Sequence, residues 1–221
     1  MNTRREPFVK ICCIASPAEA ELAVRAGASA LGLVSQMPSG PGVIPDERIA
    51  EIAAAVPPPV ATFLLTARVE ARAILAQQAV CRASVLQLVD TVPQADLRVL
   101  RAELPGVRLV QVIHVTGPES IAEARAVAPC VDALLLDSGN PNLPVKELGG
   151  TGRTHDWGLA RAIRASVPLP LFLAGGLSEH NVRDALRTVE PFGLDLCSSV
   201  RTDGHLDPVK LERFFAAVRT R

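Results

Sequence analysis

Val131-Asp132-Ala133-Leu134-Leu135-Leu136-Asp137, a Gly-, Pro- and Asn-rich loop to His155, and then Leu169-Pro170-Leu171-Phe172-Leu173-Ala174-Gly175-Gly176 together decide the fold. The two apolar runs have strand length, and one ends at a carboxylate, the other at a glycine pair. Between them the segment from about Asp156 to Ser166 has helical periodicity. Both runs are continuously apolar rather than alternating, as in strands covered on both faces. A covered strand, a helix and a second covered strand make the βαβ unit of a parallel sheet.

The same unit recurs outward in both directions. Phe8 to Ile14 reads as the first strand, followed by a helix from Pro17 to Ala26 with Ser16 as N-cap, Pro17 in the first turn and Gly27 at the stop. Further strands are expected at Ala30–Val34, Val60–Leu65, Ser84–Leu88, Val107–Val115, Val131–Leu136, Leu169–Ala174 and Gly193–Leu196. Helices are expected near Pro45–Ala55, Val69–Val80, Pro93–Glu103, Pro118–Ala128, Asp156–Ser166, Glu179–Thr188 and Pro208–Arg219. Eight units in 221 residues, roughly 28 each, with no linker or composition break, predict one closed parallel (β/α)₈ TIM barrel over residues 1–221. A doubly wound sheet would require two or three of these strands to be wrong.

Composition excludes several function classes. Hydrophobic residues at 48% exclude a disordered chain. Lys+Arg and Asp+Glu both number 23, so no basic excess points to nucleic acid as a partner. No apolar run reaches the roughly 18 residues of a membrane span, and the first residues lack the apolar core of a secretory signal. Five cysteines, two of them adjacent, do not form a disulfide framework. A cytoplasmic protein with reduced thiols is expected, as a monomer or a homodimer.

In a parallel barrel the chemistry sits at the C-terminal ends of the strands. Three small-residue segments converge there: Gly149-Gly150-Thr151-Gly152 after the sixth strand, Gly175-Gly176 after the seventh, and Ser198-Ser199 after the eighth. Singly they read as tight turns. Together they read as a phosphate cradle, because glycine lets backbone N–H groups approach anionic oxygens. The ligand expected is therefore a phosphorylated small molecule. Asp137 closes an apolar strand, where burial would suit it to general-acid work; a loop anchor is the alternative. Cys12 ends the first strand and is either an activated thiol or a small buried apolar residue. Alternation places Cys12 and Cys13 on opposite faces, so only one is expected to reach the mouth. Lys10 shares the parity of Cys12 and is placed to hold a thiolate or a phosphate. Gln87 and His114 end the fourth and fifth strands and are counted with the binding residues, His114 having a structural alternative. His155, His180 and His205 read as surface residues. No His, Cys, Asp or Glu cluster has the spacing of a zinc site.

These residues resemble the phosphoribosylanthranilate isomerase family of tryptophan biosynthesis along nearly the whole chain. The resemblance is carried by Val9-Lys10-Ile11-Cys12, Ala26-Gly27-Ala28, Leu135-Leu136-Asp137-Ser138, Gly149-Gly150-Thr151-Gly152-Arg153-Thr154 with Asp156-Trp157, Leu173-Ala174-Gly175-Gly176-Leu177 with Asn181-Val182, and Gly193-Leu194-Asp195 with Ser198. It implies an Amadori-type aldose–ketose isomerisation without metal or cofactor. It gives Asp137 the role of acid and Cys12 that of base, and gives Gly150, Thr151, Gly152, Gly175, Gly176 and Ser198 the phosphate.

The departures cluster. The family usually carries Ser-Pro-Arg after its second strand, the arginine holding the anthranilate carboxylate. Here Met37-Pro38-Ser39-Gly40-Pro41-Gly42-Val43 puts Pro41 at that place. The fourth strand ends Gln87-Leu88-Val89-Asp90 where the family has a histidine, and Asp90 is expected to repel an anionic aglycone. Cys13 stands for a glycine, and Cys197-Ser198-Ser199-Val200-Arg201 stands for Ser-Ser-Gly-Val-Glu, which makes Ser199 a phosphate-facing serine. Three readings share these residues: isomerisation of phosphoribosylanthranilate, isomerisation of a different phosphorylated sugar-amine, and phosphate-ligand binding without catalysis.

Overall fold

The computed structural model describes residues 7–219. Parallel strands β1 (Phe8–Ile11), β2 (Ala30–Val34), β3 (Ala61–Thr66), β4 (Val85–Leu88), β5 (Arg108–His114), β6 (Ala133–Asp137), β7 (Leu171–Leu173) and β8 (Gly193–Leu196) pair in chain order and close into a barrel, β8 on β1. Helices α1 (Pro17–Ala26), α2 (Asp46–Ala55), α3 (Ala71–Cys81), α4 (Gln94–Glu103), α5 (Glu119–Val127), α6 (Trp157–Ser166), α7 (Val182–Val189) and α8 (Pro208–Arg219) cover the outside. No helix among the described residues is long and apolar enough to cross a membrane.

The continuous apolar strands are explained by two cores. One parity of each strand faces the helices: Ile11, Leu33, Leu64, Leu86, Ile113, Leu134 and Leu194 are fully buried against residues such as Ile49, Ile74 and Ile163 of the helices. The other parity fills the barrel, where Ala30, Phe63, Val85, Val110, Ala133 and Phe172 pack together. Phe172 meets Phe8 and Phe63 edge to face at 5.6 and 5.8 Å, an arrangement favoured by the ring quadrupoles. These rings stop the barrel from being a pore and confine its opening to the C-terminal mouth.

Local capping agrees with the chain. Ser16 accepts from Glu19 N and starts α1, and Asp156 accepts from Gly158 N and Leu159 N and starts α6. Three expectations are corrected. The first strand ends at Ile11 rather than Ile14, because Cys13 is left-handed with φ 63° and cannot continue a strand. The seventh helix starts at Val182 rather than Glu179, since Asn181 Oδ1 accepts from Ser178 N and holds a turn there. After the eighth strand, β9 (Arg201–Thr202) and β10 (His205–Leu206) form an antiparallel hairpin that had not been expected. Its turn, Asp203-Gly204, has φ values of 49° and 80°, the left-handed pair of a tight hairpin.

Candidate active site

The closing seam of the barrel sets the floor of the site. Register pairs Lys10 with Asp195 across β1 and β8. Lys10 Nζ lies 2.7 Å from Asp195 Oδ2, with the lysine side chain fully buried. Burial works against the charge on Lys10, but Asp195, together with the thiols of Cys12 and Cys13, outweighs it and holds the ammonium above its ordinary range. Burial holds the Asp195 carboxyl above the usual carboxylate range, with Lys10 opposing. Asp195 Oδ1 has no partner and lines the cavity above, whereas Lys10 lies beneath it and is not among its walls.

That cavity, about 740 Å³ with its open mouth, is walled by the C-terminal ends of the strands and the loops after β2, β6, β7 and β8. Cys12 and Asp137 both line it. Cys12 N donates to Leu196 O at 2.7 Å, which fixes the end of β1 against β8. Its thiol lies over Gly32: a Cβ at that position would meet Cys12 Sγ at 2.7 Å, so the glycine makes room for the sulfur. Asp137 is anchored through one oxygen only, Oδ1 accepting from Ser138 N at 2.7 Å.

Cys13 corrects the alternation rule. It lines the same cavity as Cys12, because its left-handed backbone abandons the strand period of two. Its sulfur is hydrogen-bonded to that of Cys197, 2.6 Å away. Hydrogen bonding to Cys12 and Cys197, with burial, pushes the Cys13 thiol up, and the hydrogen bond to Cys13, helped by the Arg201 charge, brings Cys197 below its ordinary value. Arg201 Nη2 donates to Cys12 O at 3.1 Å and Cys13 O at 2.5 Å, while Nη1 donates to Glu19 Oε1 at 3.0 Å. Burial opposes the charge on Glu19, but Arg201 and the N–H groups of Ala15 and Leu206 hold its carboxyl below the usual range.

The other end of the cavity is made of backbone. Gly150, Thr151, Gly152, Gly175, Gly176, Ser198 and Ser199 all line it. Gly176 has φ 59°, and a Cβ there would come within 2.8 Å of the Arg153 carbonyl carbon and Thr154 N. Only glycine lets the two loops touch in this way. Thr151 Oγ1 lies 2.6 Å from Ser138 Oγ, tying the cradle to the residue that anchors Asp137. Ser199 Oγ is shielded from solvent and has no partner. Among the described residues no group of three or more His, Cys, Asp or Glu is placed to hold a metal ion.

A sequence model described as N-(5'-phosphoribosyl)anthranilate (PRA) isomerase matches residues 9–217. The chain belongs to the PRA isomerase family. A relative named N-(5'-phosphoribosyl)anthranilate isomerase from Haloferax volcanii is 39% identical, the match covering 96% of this chain and 93% of that protein. One of the same name from a Synechococcus strain is 36% identical over 92% of this chain and 87% of its own length. Among solved structures, phosphoribosyl anthranilate isomerase from Thermotoga maritima superposes with a TM-score of 0.82 at 27% identity, covering 96% of this chain and 98% of that one. Another PRA isomerase structure, solved with reduced 1-(o-carboxyphenylamino)-1-deoxyribulose 5-phosphate, superposes at 0.80 with 25% identity, covering 96% and 98%. The family consists of isomerases of the aldose–ketose type, in which an internal oxidation and reduction exchange a carbonyl between neighbouring carbons.

The loop after β2 forms the opposite wall of the cavity. Ser39, Gly40 and Pro41 line the cavity, and Pro41 packs on Gly150, where a Cβ would meet Pro41 Cδ at 2.6 Å. No arginine, lysine or histidine is among the cavity walls formed by the described residues. Gln87 lines the cavity, its Oε1 without a partner. His114 does not: its Nε2 bonds to Val89 O at 3.0 Å. Gln111 is likewise engaged, on Leu88 O and Asp90 O. Asp90 is paired with Lys146 Nζ at 2.5 Å, so the expected repulsion of an anionic aglycone is neutralised. His155 is half-buried rather than on the surface, both ring nitrogens shielded and unpartnered, and burial holds its pKa down.

Proposed function

We propose that this chain isomerises N-(5'-phosphoribosyl)anthranilate to the corresponding 1-amino-1-deoxyribulose 5-phosphate, with Asp137 as acid and Cys12 as base. Asp137 protonates the furanose ring oxygen, the C1′–O bond breaks, and the nitrogen lone pair forms the C1′=N Schiff base. The Cys12 thiolate then removes the proton from C2′. The electrons move to give an enolamine, which becomes the 2′-ketone as carbon C1′ takes up a proton. No redox partner is needed, because C1′ is reduced as C2′ is oxidised.

One observation carries this reading: Cys12 and Asp137 open into the same cavity, whose far end is the backbone cradle of Gly150 to Gly152, Gly175, Gly176, Ser198 and Ser199. A phosphate held there fixes the sugar at one end, and proximity does the rest. Asp137 is held by Oδ1 from Ser138 N, which leaves Oδ2 for the ring oxygen. Lys10, buried and paired with Asp195, braces the seam from which Cys12 emerges. The anthranilate carboxylate meets neutral donors, Gln87 among them, in place of an arginine. Non-catalytic binding is disfavoured, since a binder requires neither Cys12 nor Asp137.

The test is turnover of freshly prepared phosphoribosylanthranilate, followed by loss of its fluorescence, in wild type, Cys12→Ala and Asp137→Asn. Loss of signal with wild type alone supports the assignment. Turnover that survives Cys12→Ala removes the thiol from the role of base.

A further inference from the structure

Cys13 and Cys197 lie 184 residues apart in sequence, just beyond the ends of β1 and β8, yet their sulfurs are 2.6 Å apart. Cys13 occupies a left-handed backbone, φ 63°, where glycine is free of strain and cysteine is not. Room for its side chain comes from the loop after β2: a Cβ on Gly42 would lie 2.5 Å from Cys13 Cβ. Two thiols that meet at one point, one of them in an unfavourable backbone conformation, call for a shared role.

We propose that Cys13 and Cys197 are a thiol-modification site, a dithiol that closes to a disulfide by exchange with a small-molecule disulfide and so clasps the mouth of the barrel across the β1–β8 seam. A disulfide spans about 2.05 Å, so the two sulfurs need approach by only roughly half an ångström to bond. Cys197 is half-buried and lines the cavity, which gives a small disulfide a path to it. The Arg201 charge nearby favours Cys197 as the attacking thiolate. Its sulfur attacks one sulfur of the reagent RSSR, forming Cys197–S–SR and releasing RS⁻. Cys13 gives up its proton to that thiolate, and its sulfur attacks Cys197 Sγ, forming the Cys13–Cys197 bond and releasing the second RS⁻, which takes a proton from solvent. The two protein thiols lose two electrons and RSSR gains them. The site is independent of which side chain serves as base in the isomerisation.

Oxidised glutathione is the probe, applied to the folded full-length chain, with dithiothreitol as the reducing control. Trypsin then yields segments 11–25 and 188–201, each ending at an arginine. The expected result is a covalent pair of these two segments, present also in Cys12→Ser, absent in Cys197→Ser and Cys13→Gly, and reversed by dithiothreitol. Linking the first strand to the last constrains the unfolded chain, so the melting temperature of the oxidised wild type rises by about 5–10 °C. Cys13→Gly suits the backbone at that position and guards against misfolding of the serine variant. A link that vanishes in Cys12→Ser, a glutathione adduct on Cys197 that never resolves, or free thiols at both positions after oxidation each overturns the proposal.

Discussion

The two ends of the cavity are built from different materials. The end we assign to the phosphate is backbone: Gly150, Gly152, Gly175 and Gly176, all with positive φ, set against one another so closely that a methyl group does not fit at Gly176. The end we assign to the aglycone is side chain: Met37, Ser39 and Pro41 after β2, Gln87 from β4 and Val89 just after it. Backbone architecture depends on every neighbour at once, whereas a wall of side chains changes one residue at a time. The side-chain end is accordingly where the chemistry of the wall is free to change without disturbing the loops that meet at Gly176.

Between the ends stand the residues assigned the chemistry, and their loss is expected to have the largest effect. Cys12→Ala and Asp137→Asn each lower kcat by about 10³-fold or more, the range of positioned acid–base groups, with a smaller change in KM. Steady-state fluorescence assays check this. A raised KM with kcat unchanged would mean that these side chains hold substrate rather than move protons.

Next comes the strut joining the phosphate end to the base. Glu19 receives Arg201, Ala15 N and Leu206 N, and Arg201 in turn holds the carbonyls of Cys12 and Cys13. Glu19→Gln removes about 2 kcal/mol of stability, a drop of roughly 4–8 °C in Tm at neutral pH. Because the folded state holds the Glu19 carboxyl below its usual range, the stabilisation is present above the unfolded pKa and is lost as the pH falls through the depressed folded value. Melting curves of wild type and variant are therefore expected to converge on acidification. A constant gap would show that the charge of Glu19 is not what stabilises the seam.

Gly176→Ala probes the backbone end directly. Its Cβ would press on the Arg153–Thr154 peptide and occupy a left-handed position, at a cost of about 1–3 kcal/mol. KM rises roughly 10–100-fold, and inhibition by inorganic phosphate weakens in step, with kcat much less affected. If phosphate inhibition stays unchanged, the cradle lies elsewhere.

How much of this was legible beforehand divides along the same line. The barrel was readable because each strand is apolar on both parities, and the cradle because its glycines recur after successive strands. What stayed hidden depends on long-range register. Lys10 was seen as an inward residue, but its partner Asp195 follows only from the closure of β8 on β1. The meeting of Cys13 with Cys197 needs that same closure and a left-handed residue, and period-two alternation assigned Cys13 to the wrong side. The β9–β10 hairpin did carry a signal, Asp203-Gly204, which a scan for barrel units passes over. His114 ends a strand and reads as a binding residue, and Gln111 lies on the same strand. Their amide and imidazole groups instead serve backbone carbonyls of β4 and the residues after it, a competition that sequence does not display.

Pro41→Arg tests the side-chain end and carries the smallest expected effect. No cation lines the cavity among the described residues, so the anthranilate carboxylate lacks an ionic partner. An arginine at this point offers a planar fork matched to a carboxylate. Partial exposure and the entropy of ordering a long side chain limit the gain to about 1.4 kcal/mol, a tenfold fall in KM. Pro41 packs on Gly150, so its removal also loosens the phosphate loop, which works against the gain. The two effects separate by measurement: inorganic phosphate inhibition reports the loop alone, whereas KM for phosphoribosylanthranilate reports both. A lower KM with unchanged phosphate inhibition sharpens the division between the two ends. An unchanged KM with unchanged phosphate inhibition breaks it, because the carboxylate would then be satisfied already, with Gln87 the first side chain to substitute.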